Sequence, residues 1–264
     1  RITVIMPYLY EGRQHVRLIN ESLDCAQAMQ ELIRMGVETI ITFDAHDNRV
    51  QNAIPNNGFD NFFTSYQFIS TILNDMPDLI VDNEHLMTIS PDEGGMRRAV
   101  FYSNQLGVDM GMFFKRRNYS TLVNGEHPVI SMEFLGNDVS GKDVIIVDDM
   151  IASGKTVLEV AKELKKRNAA RVIICATFGL FNDGLEELDQ AYKEKVFDHI
   201  YTTNLCYCPS ALKERPYYHN VDLSRYIALI IDTLNHDTSV NDIMNATKRI
   251  QELLEERSKN ISSK

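Results

Sequence analysis

The chain has 264 residues, of which 44% are hydrophobic, and a formal net charge of -10. That length buries one large core or two smaller ones, and two is the better expectation. An acidic balance with no long basic run excludes the cationic footprint of a nucleic-acid binder. No stretch approaches the ~20 uninterrupted apolar residues of a membrane span, and the start lacks the charged-then-apolar layout of a signal peptide. A cytoplasmic protein with no membrane partner is expected. Cys25, Cys175, Cys206 and Cys208 have no paired spacing for zinc, so they read as reduced thiols.

Taken in chain order, apolar runs rich in β-branched residues predict strands at Ile2–Met6, Thr39–Phe43, Leu86–Ile89, Val108–Phe114, Val144–Val147, Val172–Thr177 and His199–Thr203. Several are apolar throughout, as strands covered on both faces tend to be. The first begins almost at Arg1, so a segment upstream is expected to be missing. Asn20–Met35 carries Leu23, Ala26, Met29, Leu32 and Ile33 at helical spacing and stops before Gly36. Gln51–Asn61 is dense in Asn, Pro and Gly, which predicts irregular turns and a boundary between two α/β units near Thr64. Tyr119–Pro128 reads as a polar loop after a basic cluster. Val157–Arg167 is amphipathic, with Val157, Val160, Ala161 and Leu164 on one stripe, and Val240–Arg257 predicts an amphipathic terminal helix.

Strand, polar loop and helix in repetition predict parallel sheet, and in open parallel sheets ligands bind beyond the carboxyl ends of strands. At one such end stands Val144–Thr156, VIIVDDMIASGKT, with two acids, a small-residue loop and then a helix. Small residues let backbone N–H groups wrap a phosphate, and the helix N-terminus favours its charge. The pattern suits a sugar phosphate, with Ala152, Ser153, Gly154, Lys155 and Thr156 around the 5-phosphate and Asp148 and Asp149 on the ribose hydroxyls. Two unpaired carboxylates at a buried strand are costly unless hydrogen-bonded, which argues against an idle Asp-Asp. Ser153–Thr156 imitates the end of a P-loop, but the glycine required five residues before Gly154-Lys155 is Asp149.

This segment resembles the phosphoribosyl-diphosphate signature shared by type I phosphoribosyltransferases and ribose-phosphate diphosphokinases. Further segments favour the second family. Pro7-Tyr8 with Arg13-Gln14 is similar to its ATP loop, and Thr42–His46 (TFDAH) to its strand ending in Asp-x-His. Ser90–Gly95 (SPDEGG) is similar to its diphosphate loop, and Lys115-Arg116-Arg117 to its catalytic Lys-x-Arg. The matches keep their order from Arg1 to about Leu234.

The resemblance implies two doubly wound α/β units of the phosphoribosyltransferase type, facing each other across the site. The first, 1–64, would lack its opening strands; the second, 65–264, would carry the ribose-5-phosphate site and terminal helix. It implies transfer of the diphosphoryl group of ATP to the 1-hydroxyl of ribose 5-phosphate with Mg²⁺, or Mn²⁺ in its place, in a homo-oligomer. Lys115 and Arg117 would be catalytic and Arg116 would point away. Asp92, Gly94 and Gly95 would hold diphosphate, Arg13, Gln14 and His46 would bind ATP, and His46, Asp44 and Asp92 would meet the metal. The chain departs from the family at His15 and Val16, where an acid and a base usually follow Arg-Gln, and at Lys155, where a glycine is usual. Asp60 is a candidate for a family acid after His46. Two other readings are a phosphoribosyltransferase that needs no ATP and a catalytically silent paralogue, though a silent member would be expected to lose the cationic clamp.

Overall fold

The computed structural model describes residues 1–17, 20–117 and 129–262, apart from the side chains of Lys115, Arg117, Val129, Ile130, Asp242 and 260–262. The expected loop Tyr119–Pro128 therefore falls outside the described residues, Val129 and Ile130 having a described backbone only. The chain begins with β1 (Thr3–Ile5), α1 (Asp24–Arg34), β2 (Thr39–Phe43), a 3-10 turn (Asn48–Ala53) and β3 (Gly58–Phe62). Next come α2 (Ser65–Asp75), β4 (Leu86–Ser90), α3 (Met96–Leu106), β5 (Asp109–Arg117), β6 (Val129–Leu135) and β7 (Asp143–Ile151). It continues with α4 (Lys155–Lys166), β8 (Val172–Gly179), α5 (Glu186–Lys193), β9 (His199–Thr203), α6 (Ser210–Lys213) and β10 (Tyr218–Val221). It ends with α7 (Ser224–Asn235), α8 (Asn241–Met244) and α9 (Ala246–Ser262).

These elements form two compact units, Arg1–Gln67 with Leu223–Ala246, and Phe68–Asp222 with Thr247–Lys264. The first is built on a parallel sheet in the order β1-β2-β3. On one side Cys25 and Met29 of α1 bury against Ile40, Val50 and Ile54. Tyr226 of α7 packs against Phe43 and Phe62 with ring centroids 6.1 and 6.0 Å away. Hence residues 223–246 group with the first unit, whereas a boundary at Thr64 assigns them to the second.

The second unit carries a seven-stranded sheet in the order β10-β9-β8-β7-β4-β5-β6, parallel except for the β5–β6 pair. Its core lies between the sheet and helices such as α4, whose Val157, Val160, Ala161 and Leu164 are all buried. Strand order reverses between β4 and β7: β5 follows on one side, β8 to β10 on the other. Such a reversal opens a crevice at the carboxyl ends of the two central strands. In α9, Arg257 donates to the carbonyls of Leu73, Met76, Pro77 and Leu79, fastening the end of α2.

Three local expectations are corrected. The turn-rich segment Gln51–Asn61 contains the end of the 3-10 turn and most of β3; Gly58, Asp60 and Asn61 have low strand propensity, but pairing with β2 overrides it. Asn61 earns its place through its side chain, which accepts from the Ala45 N–H at 3.0 Å. The first helix starts at Asp24 rather than Asn20, because the Ser22 carbonyl accepts from the Gln14 side chain at 2.7 Å. The terminal helix is broken at Asn245, where the backbone is extended; the carbonyl of nearby Ile243 accepts from the Tyr226 hydroxyl. Among the described residues no helix is long and apolar enough to cross a membrane.

Candidate active site

The crevice of the second unit is flanked by the loop after β4 and the loop after β7. Ser90–Gly95 makes a tight turn: the Ser90 hydroxyl donates to the Asp92 carbonyl at 2.6 Å, and Asp92 Oδ1 accepts from the Gly95 N–H at 3.1 Å. This turn leads into α3, and Arg98 lies in the first turn of that helix. A Cβ on Gly95 would stand 2.9 Å from Ser90 Oγ and 3.2 Å from the carbonyl oxygen of Val147, so only glycine lets the turn lie against β7. Gly94 is the other small residue of the turn. The sequence signal for the Ser90 hydroxyl bond is a serine two residues before an acid in a Gly-rich turn.

β7 extends through both acids to Ile151. Successive strand residues point to opposite faces, so Asp148 is partly exposed and Asp149 buried. The Asp149 N–H donates to Asp148 Oδ1 at 2.8 Å. Burial, followed by the like charges of Asp149 and Asp92, pushes the Asp148 carboxyl well above the usual carboxylate range. The Ser90–Gly95 turn and the Asp-Asp strand therefore share one acidic patch. Donors or a cation entering there would relieve charge that the protein alone leaves costly.

The loop Ala152–Thr156 follows. Ala152 accepts from the Asn182 N–H at 2.8 Å, and Ser153 Oγ accepts from the Lys155 N–H at 3.4 Å. Gly154 has φ +87, a left-handed geometry glycine takes at no steric cost, and α4 starts at Lys155 with Thr156 in its first turn. The N–H groups of a helix's first turn are donors of the kind an anion needs. The Lys155 ammonium lies 3.2 Å from Asp183, both side chains well exposed, an ion pair on the surface.

In the first unit, Asp44 directly follows β2, buried and at φ +42, a left-handed backbone that Asp tolerates better than most residues. His46 comes next but one, half-buried. The loop between β1 and α1 holds Arg13, exposed, and Gln14, whose amide donates to the Ser22 carbonyl and accepts from the Asp24 N–H. Gln14 thus serves the start of α1, with part of its hydrogen-bonding capacity spent. Asp60 lies on β3, half-buried, its carboxyl raised by desolvation.

Lys115 and Arg117 stand at the end of β5, their backbones paired with Met132 and Val129 of β6, with a register shift between Arg116 and Arg117. Their side chains fall outside the described ones. Arg116 is exposed, 4.0 Å from Glu133. Among the described residues no three His, Cys, Asp or Glu side chains converge on a metal cage.

Residues 65–210 match the phosphoribosyl transferase domain model. A ribose-phosphate pyrophosphokinase of Vibrio parahaemolyticus is 30% identical over 253 residues, which cover 93% of this chain and 74% of the relative. The chain belongs to the ribose-phosphate pyrophosphokinase family. A member from Mycoplasma genitalium is 29% identical over 77% of the chain, which spans 58% of that relative's length. In fold, the chain is similar to the phosphoribosylpyrophosphate synthetase of Mycobacterium smegmatis, with a TM-score of 0.76 at 23% identity, covering 90% of this chain and 72% of that one. The phosphoribosyltransferase-type fold expected of the family is the one observed.

Proposed function

We infer that the protein is a ribose-phosphate diphosphokinase, forming 5-phospho-ribose 1-diphosphate and AMP from ATP and ribose 5-phosphate. The observation that carries this reading is the convergence of the Asp92 turn and the Asp148–Asp149 strand at the switch point, beside a glycine-started helix.

Ribose 5-phosphate would place its phosphate on the Ala152–Thr156 loop, with the amides of the helix start as donors. Lys155 is available to leave Asp183 and add charge there. The 2- and 3-hydroxyls would donate to Asp148 and Asp149, supplying the partners those acids need. Asp92, held by Gly95, would face the diphosphate across Gly94. Arg13 and Gln14 with His46 would meet the nucleotide, Asp44 and His46 would serve its Mg²⁺, with Mn²⁺ as a substitute, and Asp92 would serve the metal that accompanies the diphosphate. Bound Mg²⁺ would neutralise the polyphosphate and orient its β-phosphoryl group. Lys115 and Arg117, at the end of β5, would bind the charge that develops on the transferring group. The anomeric hydroxyl attacks the β-phosphorus, the bond to the α-phosphate's bridging oxygen breaks, and AMP leaves. The same reading makes the protein a cytoplasmic homo-oligomer.

The test is AMP release by the purified protein with Mg²⁺–ATP, with and without ribose 5-phosphate. Release should require both substrates and should fall by about 100-fold or more in Lys115→Ala, the scale of one lost transition-state donor. A folded protein that binds ribose 5-phosphate and yields no AMP would defeat the diphosphokinase reading. Diphosphate release that needs a nucleobase and phosphoribosyl diphosphate instead would establish a transferase.

A further inference from the structure

The first unit holds its nucleotide loop by two successive side chains that reach in different directions. Gln14 reaches to Ser22 and Asp24 at the start of α1. His15 reaches to the other side. Its Nδ1 lies 3.0 Å from the carbonyl oxygen of Arg13, and its Nε2 lies 3.4 Å from Asp47 Oδ2. Its ring stands 5.3 Å from that of His46, centroid to centroid.

Asp47 is itself fixed. It caps the 3-10 turn by accepting from the Arg49 N–H at 2.8 Å, and its carboxylate also accepts from the Arg49 guanidinium. Only 20% of the His15 side chain and 18% of the Asp47 side chain are exposed, whereas Arg13, whose carbonyl His15 holds, is exposed. A sheltered anchor beside an exposed cation is the arrangement of a support and the group it presents. Two further turns stiffen the loop, Gly12 N–H to the Leu9 carbonyl at 3.0 Å and Gln14 N–H to that of Glu11 at 2.8 Å.

We propose that His15 is a positioning residue, tying the loop that presents Arg13 to the segment after β2 that carries His46 and Asp47. The proposal rests on the diphosphokinase reading for its ligand, Mg²⁺–ATP, but the tether itself is independent of any ligand. A chain with His15 in this place would set the distance between the nucleotide loop and the metal-side histidine through Asp47.

Two readouts test it, on the full chain. The first needs no substrate: the rate of tryptic cleavage after Arg13 in wild type, His15→Ala, His15→Gln and Asp47→Asn. His15→Ala should be cut several-fold faster with cleavage in the second unit unchanged, and His15→Gln, which keeps a donor toward Asp47, should be slowed back toward wild type. Asp47→Asn keeps the cap of the 3-10 turn but loses the charge facing His15; it should be cut faster too, and adding His15→Ala should increase the rate no further. The second readout is the split in KM. His15→Ala should raise KM for ATP by up to about tenfold, the scale of a single charge-assisted contact, and leave KM for ribose 5-phosphate within about twofold. Unchanged cleavage after Arg13 in both His15→Ala and Asp47→Asn overturns the tether. So does an equal rise in both KM values. A wild-type protein that releases no AMP would defeat the diphosphokinase reading alone, because the cleavage experiment still decides the tether.

Discussion

Asp148 stands where a charge is expensive before a ligand arrives. Its carboxyl titrates high because burial, Asp149 and Asp92 all oppose ionisation. A group whose folded pKa is raised stabilises the fold while it stays protonated, and that contribution is lost as pH rises from the unfolded value, near 3.8, through the folded one. At neutral pH the residue is therefore a burden on stability. Asp148→Asn should raise the thermal midpoint while weakening ribose 5-phosphate binding by tenfold or more, about the loss of one charged hydrogen bond. Calorimetry and equilibrium binding on the same preparation check both; a lower midpoint would contradict the electrostatic account. The signal for this residue was plain in the sequence, an Asp-Asp after an apolar strand. That Asp92 adds to its burden was not, because the two acids are brought together only by the pairing of β4 with β7.

At the scale of elements, β9 and β10 carry a histidine pair at the edge of the large sheet. His199 Nδ1 lies 2.9 Å from His219 Nε2, and His219 Nδ1 lies 3.2 Å from Asp75, so one imidazole donates to the other and that one to the carboxylate. The His219 ring stacks on Tyr201 with centroids 4.4 Å apart, and Asp198 and Arg171 also act on His199. Burial lowers the pKa of both histidines from 6.5. When the folded pKa is depressed, the unfolded chain takes up protons first on acidification, so stability falls as pH drops below about 6.5. Urea midpoints between pH 5 and 8 should show this loss, and His219→Gln should flatten it. Sequence periodicity located β9, but β10 is a short strand whose identity depends on the neighbour it pairs with.

Across the whole chain, the first unit is completed from the far end. Tyr226, buried in α7, closes the aromatic cluster with Phe43 and Phe62, and its hydroxyl donates to Ile243. Tyr226→Ala should destabilise that unit by about 3 kcal/mol, the range for truncating a buried aromatic. Denaturant unfolding followed by a probe in the first unit should show the loss. An unchanged probe in the first unit together with a shift in the second would contradict the partition.

The alternating parallel-sheet architecture, the small-residue loop between an acidic strand end and a helix, and the order of the motifs could all be read from the sequence. Each rests on local rules: β-branched runs, helical spacing, and small residues beside acids at a strand end. Tertiary structure alone decided the rest. β3 forms from a segment of poor strand formers because β2 offers it a complete hydrogen-bonding edge. Helix α1 starts late because Gln14 holds the residues before it. The Asp92 turn meets Asp148 because strand order reverses between β4 and β7. Such outcomes depend on partners distant in the chain, and no window of residues contains them.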